Sequence, residues 1–363
     1  MKTAVIIDKL TGYGGAERVA LALARVFNAD VWTTSYFAEA ANPEFKKYKV
    51  YPHPLQSLKL ASNIKIAYFF WQGLMQTEAN SRFRNMDLSG YDLIISAGMS
   101  TKQVALNTGN HPCLHYEHGV KNSYKMEWLF KPWTSYMQRM DMKATGKIDI
   151  LVCNSLNIKN KIKNYYHRDA EVVYPPVDIS RFKYGEPGDY FLSVQRMSPG
   201  KLIETQIEAF RLAPRQKLVI VGAVTKSDIP YFHKLKRATP PNITYLGTVT
   251  DAELVELYAH SRAVIQSNPD EDFGIVPVEA MASGKPCMAV NAGGFKETII
   301  QGKTGILVDL PYVENLAKAI KGFDDKDYNP QDCRKQAQQY STEVFTEKIK
   351  TIVTAMQIRR QVI

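Results

Sequence analysis

The feature that most constrains the fold of this chain is a repeated order of short apolar run, glycine-rich turn and amphipathic helix. At the start, "TAVIID" is followed by "KLTGYGGAE" and then by "RVALALARVFN", in which Val19, Leu23 and Val26 recur at helical spacing. Strands that alternate with helices build a parallel sheet, because two parallel strands must be joined by a crossover, which is usually a helix. The sequence therefore predicts an α/β fold.

The same order continues through both halves of the chain. Further strands are predicted at 92–98, 113–119 and 150–155. The segment "VYPPVDISRFKYGEPGDY" (173–190) holds three prolines and two glycines and predicts a connection between domains. After it the pattern restarts with "YFLSVQR", "KLVIVGA", "NITYLGTV", "AVIQSN", "PCMAVN" and "GILVD". We therefore expect a second doubly wound sheet.

Length and composition agree with two domains. A chain of 363 residues exceeds the roughly 250–300 residues at which a single core stops growing. With 45% hydrophobic and 23% charged residues, the composition is that of a globular protein, so both halves can bury a core.

The four cysteines and the apolar runs restrict the cellular setting. Cys113, Cys153, Cys287 and Cys333 are far apart and form no C-x-x-C motif, which argues against a disulfide framework and a zinc site. The longest apolar run, "IAYFFWQGLM" (66–75), is about half the ~20 residues that span a bilayer. We expect a cytoplasmic protein that does not cross a membrane.

The excess of basic over acidic residues indicates an anionic partner. The chain has 46 basic and 36 acidic residues, a formal net charge of +10, with basic clusters at 45–49, 157–168 and near the C-terminus. Nucleic acid, an anionic bilayer surface and a phosphorylated substrate are all attracted by such a surface. A solvated basic surface without a partner is the alternative for each cluster taken alone.

One acidic and glycine-rich stretch, "PDEDFGIVPVEAMASGKPCMAVNAGG" (269–294), predicts a ligand site. Pro277 suits the first position of a helix, which would place Glu279 in the first turn, where free N–H groups favour a carboxylate; Gly284 would end this helix. A carboxylate there can accept hydrogen bonds from the vicinal hydroxyls of a ribose. Glu271, in the preceding loop, would reach the same ligand from the other side. Acidic residues are also common near helix starts for structural reasons alone.

Two basic residues and a glycine turn predict an anion beside these acids. Arg196 is expected at a strand end and Lys201 at the start of a helix, so that a guanidinium fork and a mobile ammonium both face one diphosphate. The turn "NAGG" (291–294) offers backbone N–H groups to a phosphate. In open α/β sheets, ligands bind at the carboxyl ends of the strands, so we expect the ligand between the two domains.

Together these residues resemble a known family. Arg196, Lys201 and the E-x7-E spacing of Glu271 and Glu279, with "GYGGAERV", "HYEHG", "CNS" and "YPPVD" elsewhere, resemble the retaining family-4 glycosyltransferases of GT-B fold. The run from His118 through Trp133 to "YPPVD" looks most like the bacterial and archaeal mannosyltransferases that build surface polysaccharides or lipid-linked glycans.

The resemblance implies an architecture. It predicts two Rossmann-like doubly wound domains that face each other across a cleft. Residues 1–178 would bind the acceptor, residues 179–345 would bind the nucleotide sugar, and residues 346–363 would form a helix that crosses back to the N-terminal domain.

The resemblance also implies an activity and a set of site residues. A sugar, with mannose from GDP-mannose favoured, would move from a nucleotide diphosphate to a hydroxyl of a glycan or lipid-linked acceptor, with the anomeric configuration kept. The expected catalytic residues are His118, Arg196, Lys201 and Glu271, and the expected donor-binding residues are Gly15, Arg196, Lys201, Val249, Glu271, Phe273, Gly274 and Glu279. His115 and Glu117, beside His118, are weaker candidates.

No cofactor is expected. The acids "DED" (270–272) match a D-x-D metal motif, but Glu271 already has a role in the E-x7-E pair, so we predict a metal-independent enzyme for which the nucleotide sugar is a substrate.

The segment 57–84 bears on the acceptor. It mixes Lys59, Lys65, Arg82 and Arg84 with four consecutive aromatic residues at 68–71, a composition typical of a segment on an anionic membrane surface. A core helix with a charged flank is the alternative. If the surface interpretation holds, the acceptor is lipid-linked and the enzyme is peripheral on the inner face of the membrane.

Two other functions remain open. A nucleotide-sugar epimerase or hydrolase of GT-B-like fold would use the same donor residues without an acceptor. A nucleic-acid-binding protein would explain the charge of +10, but the basic clusters contain no recognised binding motif, so no nucleic-acid partner is expected.

Overall fold

The computed structural model of the chain describes residues 1–52, 65–120 and 131–361, with the side chains of 65–72 and 360–361 left undescribed. It divides into two compact units, one formed by Met1–Pro176 with Phe345–Ile363 and the other by Val177–Val344. Each unit contains one parallel sheet with helices beside it. The predicted α/β class, with one doubly wound sheet in each half, is confirmed.

The first unit is built on a seven-stranded parallel sheet. Its strands are β1 (Thr3–Ile7), β2 (Asp30–Thr33), β3 (Val50–Pro52), β4 (Leu93–Ala97), β5 (Cys113–Glu117), β6 (Ile150–Cys153) and β7 (Glu171–Val172), in the order β3-β2-β1-β4-β5-β6-β7. Its helices are α1 (Gly15–Phe27), α2 (Lys65–Arg84), α3 (Lys131–Lys147), α4 (Leu156–Tyr166) and α12 (Thr342–Gln361). The order reverses direction between β1 and β4.

Both faces of this sheet are buried, as a parallel sheet requires. Along β1, Val5 and Ile7 join a core with α1, whereas Ala4 and Ile6 join a second core on the other face. The side chains alternate between the two cores because successive strand residues point to opposite faces. Helix α12 follows the second unit in the sequence, and its residues Phe345, Ile349, Val353 and Met356 complete the core on the α1 side.

The second unit is built on a six-stranded parallel sheet. Its strands are β8 (Tyr190–Val194), β9 (Lys217–Val221), β10 (Ile243–Gly247), β11 (Val264–Gln266), β12 (Cys287–Val290) and β13 (Gly305–Val308), in the order β10-β9-β8-β11-β12-β13. Its helices are α5 (Ile203–Arg211), α6 (Ile229–Ala238), α7 (Asp251–His260), α8 (Ile275–Ala282), α9 (Phe295–Thr298), α10 (Tyr312–Lys321) and α11 (Pro330–Gln338). Here the order reverses direction between β8 and β11.

The four cysteines are all buried free thiols, in agreement with the sequence analysis. None of the helices in the described part of the chain combines the length and the apolar character that crossing a bilayer requires.

Candidate active site

The reversal of strand order in the second unit brings the predicted donor residues to one edge of the sheet. Arg196 lies two residues after β8, and Glu271 lies in the loop that follows β11. Because β8 and β11 are parallel neighbours, their carboxyl ends diverge into helices on opposite faces, which opens a crevice between them. Sequence and topology therefore agree on where this unit would bind a ligand.

Lys201 and Glu271 meet at this edge. The Nζ atom of Lys201 lies 2.7 Å from Oε2 of Glu271, and each side chain keeps about a quarter of its surface exposed (25% and 23%). The same Oε2 accepts a hydrogen bond of 3.1 Å from Nδ2 of Asn268. A half-buried carboxylate that touches an ammonium and an amide N–H is held in one orientation.

The start of helix α5 differs from the sequence prediction. Lys201 is not in the first turn of the helix but ends a short 3₁₀ turn (Pro199–Lys201), and Leu202 adopts a left-handed conformation before α5 begins at Ile203. Lys201 therefore projects from a loop, which gives its ammonium a wider reach than a helical position would.

Arg196 projects into solvent from the loop after β8. Within residues 1–52, 65–120 and 131–361, its guanidinium has no hydrogen-bond or ion-pair partner, apart from undescribed side chains. An exposed guanidinium can bind an anion without first losing a protein contact.

The position of Glu279 in its helix also differs from the sequence prediction. Helix α8 begins at Ile275, so Pro277 is its third residue and Glu279 its fifth, outside the first turn. Proline is tolerated there because the first N–H groups of a helix have no partner inside it. The buried carboxylate of Glu279 accepts a hydrogen bond of 2.8 Å from the hydroxyl of Tyr258. The predicted helix end is confirmed, since Gly284 follows the last turn with φ +73°.

The loop between β11 and α8 needs two glycine positions. Gly274 precedes α8 with φ +92°, a conformation that L side chains rarely adopt, and so ends the loop that carries Phe273. Gly294 packs against this loop so closely that a Cβ atom would lie 2.4 Å from Cα of Phe273. The ring of Phe273 is buried and contacts the ring of Tyr340, with centroids 5.5 Å apart.

This packing changes the interpretation of "NAGG" (291–294). Three of its backbone N–H groups, those of Asn291, Ala292 and Gly294, donate to protein carbonyls, and Gly294 donates to the carbonyl of Glu271 at 2.8 Å. The turn was predicted to bind phosphate. In the structure these three N–H groups are occupied, and the turn positions the Glu271 loop.

Val249 lies half-buried between β10 and α7. The helix begins immediately after it with a capping box, in which Thr250 and Glu253 satisfy each other's backbone N–H groups. The carboxyl ends of β8, β9 and β10 are tied together in this region, where Gly222 donates to the carbonyl of Gly247 at 2.8 Å. The loop at Val249 therefore starts from a fixed backbone.

In the first unit, Gly15 is the first residue of α1, and the helix start has no side-chain cap. The loop before it follows β1, next to the reversal of strand order in this sheet. Asp8 fastens the two strand ends there, because its carboxylate accepts from the backbone N–H groups of Met99 at 2.8 Å and Ser100 at 3.2 Å. Burial raises the pKa of Asp8 against the lowering effect of these two hydrogen bonds.

His118 follows β5 directly. Its Nε2 atom is buried and has no hydrogen-bond partner in the part of the chain that the structure describes. Burial lowers the pKa of His118 to about 4, so the imidazole is neutral at physiological pH. The backbone carbonyl of His118 accepts a hydrogen bond of 2.7 Å from Nδ2 of Asn154, at the end of β6.

A buried ionic cluster lies beside His118 and has no counterpart in the sequence analysis. The Nζ atom of Lys102 is 3.1 Å from Oε2 of Glu117 and 2.9 Å from Oδ1 of Asp141, and it donates to the hydroxyl of Tyr166 at 2.6 Å. Burial alone would lower the pKa of Lys102, but the attraction of Glu117 and Asp141 outweighs it and holds the pKa well above its usual value. Burial would raise the pKa of Glu117, and Lys102 with His115 holds it below its usual range.

This cluster has a structural role. It joins β5 to α3 and α4, and all of its side chains are buried. Glu117 is therefore committed to an internal ion pair, and His115 packs against it with Nε2 3.4 Å from Oε2.

The site residues thus fall into two groups. Six of the predicted residues, Arg196, Lys201, Val249, Glu271, Phe273 and Gly274, lie in loops at the carboxyl edge of the second sheet, and Glu279 lies in α8 just after them. Gly15 and His118 lie after β1 and β5 of the first sheet. Sequence reasoning missed Asn268 and Tyr258, the hydrogen-bond partners of the two glutamates. The turn composition of "SNPD" could have pointed to Asn268 as a residue that hydrogen-bonds its own loop. No feature of the sequence pointed to Tyr258.

No group of three or more His, Cys, Asp or Glu side chains in the described residues is arranged to hold a metal ion.

Only part of the segment 57–84, for which a membrane surface was predicted, lies among the described residues. Residues 57–64, including Lys59, and the side chains of Lys65 and the aromatic residues 68–71 lie outside the described part. Arg82 forms an ion pair of 3.3 Å with Glu78, and Arg84 donates to Gln103 at 3.4 Å. Glu78 balances the charge of Arg82, whereas Gln103 is a neutral amide and leaves the charge of Arg84 in place.

Two family models match the chain. Residues 13–181 match Glycosyltransferase Family 4, and residues 177–340 match Glycosyl transferases group 1. Together they account for both sheets. The chain therefore carries the paired domains of a GT-B glycosyltransferase, and the GT-B part of the sequence prediction is confirmed.

Curated relatives agree at modest identity. The human alpha-1,3/1,6-mannosyltransferase ALG2 is 26% identical over 59% of this chain and 60% of its own length. The ALG2 protein of Saccharomyces cerevisiae is 25% identical over 82% of this chain and 71% of its own length. A D-inositol 3-phosphate glycosyltransferase of Rhodococcus jostii is 26% identical over 50% of this chain and 46% of its own length. The match thus spans less than two thirds of the human and Rhodococcus proteins.

Solved structures support the fold. Anabaena HepE in complex with UDP superposes with a TM-score of 0.77 and 18% identity, covering 98% of this chain and all (100%) of that one. Sucrose-phosphate synthase from Thermosynechococcus elongatus gives a TM-score of 0.77 at 16% identity, over 99% of this chain and 100% of that chain.

Proposed function

We propose that this chain is a retaining, metal-independent glycosyltransferase that moves mannose from GDP-mannose to a hydroxyl of a glycan or lipid-linked acceptor. The observation that carries the proposal is the contact of Lys201 with Glu271 at the point where the strand order of the group 1 domain reverses. A cation and a carboxylate at that edge are the groups that a diphosphate and a sugar require.

The chemistry needs charge stabilisation more than a strong base. As the bond between the anomeric carbon and the diphosphate oxygen breaks, negative charge grows on the diphosphate and positive charge on the sugar ring. Fixed cations at the leaving group then lower the barrier, because they interact more strongly with the transition state than with the ground state. Arg196 and Lys201 would supply this charge. Loss of one such contact typically costs about 3 kcal/mol, or about a hundredfold in rate.

Retention follows if the acceptor oxygen attacks the face that the diphosphate leaves. The new bond forms between the acceptor oxygen and the anomeric carbon, and the acceptor proton passes to an oxygen of the departing phosphate. No side chain has to act as a nucleophile. Glu271 would hold hydroxyls of the transferred sugar, Glu279 would bind the ribose, and the neutral imidazole of His118 would hydrogen-bond the sugar.

Mannose is favoured by the ALG2 relatives, which are named as alpha-1,3/1,6-mannosyltransferases. The inositol phosphate glycosyltransferases and the UDP complex of HepE support a nucleotide-sugar donor in general. A thermal-shift comparison of GDP-mannose, UDP-glucose and UDP-N-acetylglucosamine tests the donor, because a ligand at ~100 times its Kd stabilises the folded state by about 2.7 kcal/mol. Stabilisation by UDP sugars alone would contradict the mannose assignment.

Transfer itself is tested by product analysis. We expect GDP-mannose to give a glycoside whose one-bond C1–H1 coupling in NMR shows the α configuration of the donor. We expect Arg196→Ala and Glu279→Ala to remove turnover while the fold is retained. Full turnover by both variants contradicts the site assignment. Formation of a C2 epimer or free mannose from donor alone, without transfer, would favour the epimerase or hydrolase.

We also infer that the enzyme binds anionic membranes, with α3 as the contact. Arg139, Lys143 and Lys147 recur every four residues on its exposed face, next to Tyr136, which is 43% exposed. The single acid of this helix, Asp141, is on the buried face. Basic residues near an anionic surface contribute about 1 kcal/mol each.

Vesicle sedimentation tests this contact. We expect binding to vesicles with phosphatidylglycerol and little binding to phosphatidylcholine alone. Changing Arg139, Lys143 and Lys147 to Glu should abolish it. The matched control changes Lys234, Lys236 and Arg237, which are exposed on α6, to Glu. Equal losses in both triple variants would show that net charge, and not α3, is responsible.

A further inference from the structure

Asn268 is fixed between two polar groups beside Glu271. It lies two residues after β11 and is only 9% exposed. Its Nδ2 donates to Oε2 of Glu271 at 3.1 Å, and its Oδ1 accepts from the backbone N–H of Asp270 at 3.1 Å. A flipped amide would oppose oxygen to oxygen and N–H to N–H, so these two contacts define its orientation.

The carboxylate oxygen that Asn268 contacts is shared with Lys201, whose Nζ lies 2.7 Å away. The two partners differ in mobility. The ammonium of Lys201 stands on a flexible stem in a loop, and a diphosphate competes with Glu271 for its charge. Asn268 has a short side chain that its own turn anchors, so its contact with Glu271 does not depend on the position of Lys201.

We propose that Asn268 is a positioning residue that keeps the carboxylate of Glu271 oriented toward the transferred sugar while Lys201 engages the donor diphosphate. This inference rests on the proposed function. It extends that function because it assigns the orientation of Glu271 to the neutral amide of Asn268, a residue that the sequence analysis did not predict as part of the site.

Substitution by Asp separates the two contacts of the amide. Asn268→Asp keeps the oxygen that accepts from Asp270 but replaces the donor to Glu271 with a second carboxylate. Two carboxylates at this distance cannot both ionise easily, so one of them titrates at higher pH. A role limited to the turn would leave kcat unchanged in Asn268→Ser, which keeps a short acceptor for the N–H of Asp270.

The experiment follows GDP release from GDP-mannose by the full chain as a function of pH, with a mannoside present whose hydroxyl accepts the sugar. For Asn268→Asp we expect the acid limb of kcat/KM to move up by at least about one pH unit. For Asn268→Ser, which keeps a short acceptor but loses the amide donor, we expect kcat to fall about tenfold, the donor KM to stay within about threefold and the acid limb to stay in place. Binding of GDP alone should be unchanged in Asn268→Ser, which adds no charge beside Lys201.

Asn329→Asp is the matched control. Asn329 also accepts from the backbone N–H two residues ahead, that of Gln331 at 2.9 Å, but it caps α11 and lies outside the Glu271 loop. The same change of charge and the same turn are thus tested away from the site. We expect wild-type kinetics and pH dependence.

A second readout does not need turnover. The carboxyl carbons of labelled glutamate are observed by NMR at neutral pH, with Glu271 assigned by its loss in Glu271→Gln. We expect the Glu271 signal to shift in Asn268→Ser, which removes the amide donor, and to keep its wild-type position in Asn329→Asp. An unshifted signal, or wild-type kcat in both Asn268 variants of an active enzyme, overturns the role of Asn268. A wild-type chain that releases no nucleoside diphosphate from any sugar nucleotide counts instead against the proposed function.

Discussion

The phenolic oxygen of Tyr258 lies 2.8 Å from Oε2 of Glu279, and both side chains are buried. Tyr258 belongs to α7, and Glu279 belongs to α8, so the bond joins two helices that flank β11. The ring of Tyr258 also packs edge-on against Phe182, with centroids 5.5 Å apart. The hydroxyl can therefore be removed without loss of this packing.

Tyr258→Phe should weaken donor binding. The substitution deletes a hydrogen bond to a charged group, a contact worth about 1.5–3 kcal/mol, and leaves the carboxylate of Glu279 less firmly oriented for the ribose. We expect the donor KM to rise about tenfold. Steady-state kinetics at varied donor concentration measure it. An unchanged KM would show that Glu279 does not need this bond.

Gly294→Ala should disturb the loop that carries Glu271. The added Cβ would lie 2.4–2.6 Å from backbone atoms of Phe273, which cannot rotate away as a side chain could. Such overpacking costs about 1–3 kcal/mol. We expect that loss in the free energy of unfolding by urea, together with weaker binding of the nucleotide sugar.

Gly146→Ala serves as the control for Gly294→Ala. Gly146 lies near the end of α3, and a Cβ there has no atom within 4 Å. Alanine is the better helix former, by roughly 0.5–1 kcal/mol. A variant at Gly294 as stable as this control would contradict the close approach to Phe273.

His118 should make stability depend on pH below neutrality. Its pKa is lowered to about 4 by burial, so between about pH 6.5 and 4 the unfolded chain binds a proton that the folded chain does not. Stability therefore rises with pH through this window and is constant above it, with a slope of at most about 1.4 kcal/mol per pH unit. Urea unfolding from pH 5 to 7.5 measures the slope.

His118→Gln should reduce the slope of unfolding free energy against pH, because only the contribution of His118 is removed and those of the other histidines remain. Because the imidazole of the wild type is neutral throughout, it should contribute no limb near pH 6.5 to the profile of kcat/KM. An equal slope in the variant, or a limb that disappears with it, would place the pKa of His118 near its ordinary value.

Lys285 should make the stability of the fold depend on pH above neutrality. Its side chain is only 1% exposed, with Nζ 2.7 Å from the carbonyl of Gly185 and 4.7 Å from the ring centre of Tyr184. Burial lowers its pKa to about 8, so between about pH 8 and 10.5 the unfolded chain holds a proton that the folded chain has lost. Stability should therefore rise with pH across that window.

Lys285→Met tests this assignment because methionine has a similar reach and does not titrate. The stability of the wild type relative to the variant should increase between pH 7.5 and 9.5, by up to about 1.4 kcal/mol per pH unit in urea unfolding. A difference that is independent of pH would assign the titration to other groups.

The strands and the family motifs could be recognised because both depend on local sequence. Apolar runs such as 217–221 and 287–290 bury residues on both faces of a parallel sheet, and this leaves a signal that needs no partner to be recognised. The E-x7-E spacing and the flanking loop could be recognised for the same reason. Short strands such as β3 and β7 have only three and two residues and lacked this signal.

The contacts that orient the site could not be predicted in this way. Tyr258 is 21 residues from Glu279, and Lys201 is 70 residues from Glu271, so no local pattern relates them. The start of α8 was wrong by two residues because proline fits any position in the first turn whose N–H has no helical partner.

The sequence alone determined the two parallel sheets, the glycosyltransferase-like residue types and the absence of a disulfide framework, since periodicity, spacing and composition are properties of the chain itself. Only the tertiary structure decided which groups touch: that Gly294 supports the loop of Glu271, that Asn268 and Lys201 share one carboxylate oxygen, and that Lys102 forms ion pairs with Glu117 and Asp141 inside the first unit. Such contacts form between residues that the order of the strands brings together, and that order depends on the packing of the whole domain.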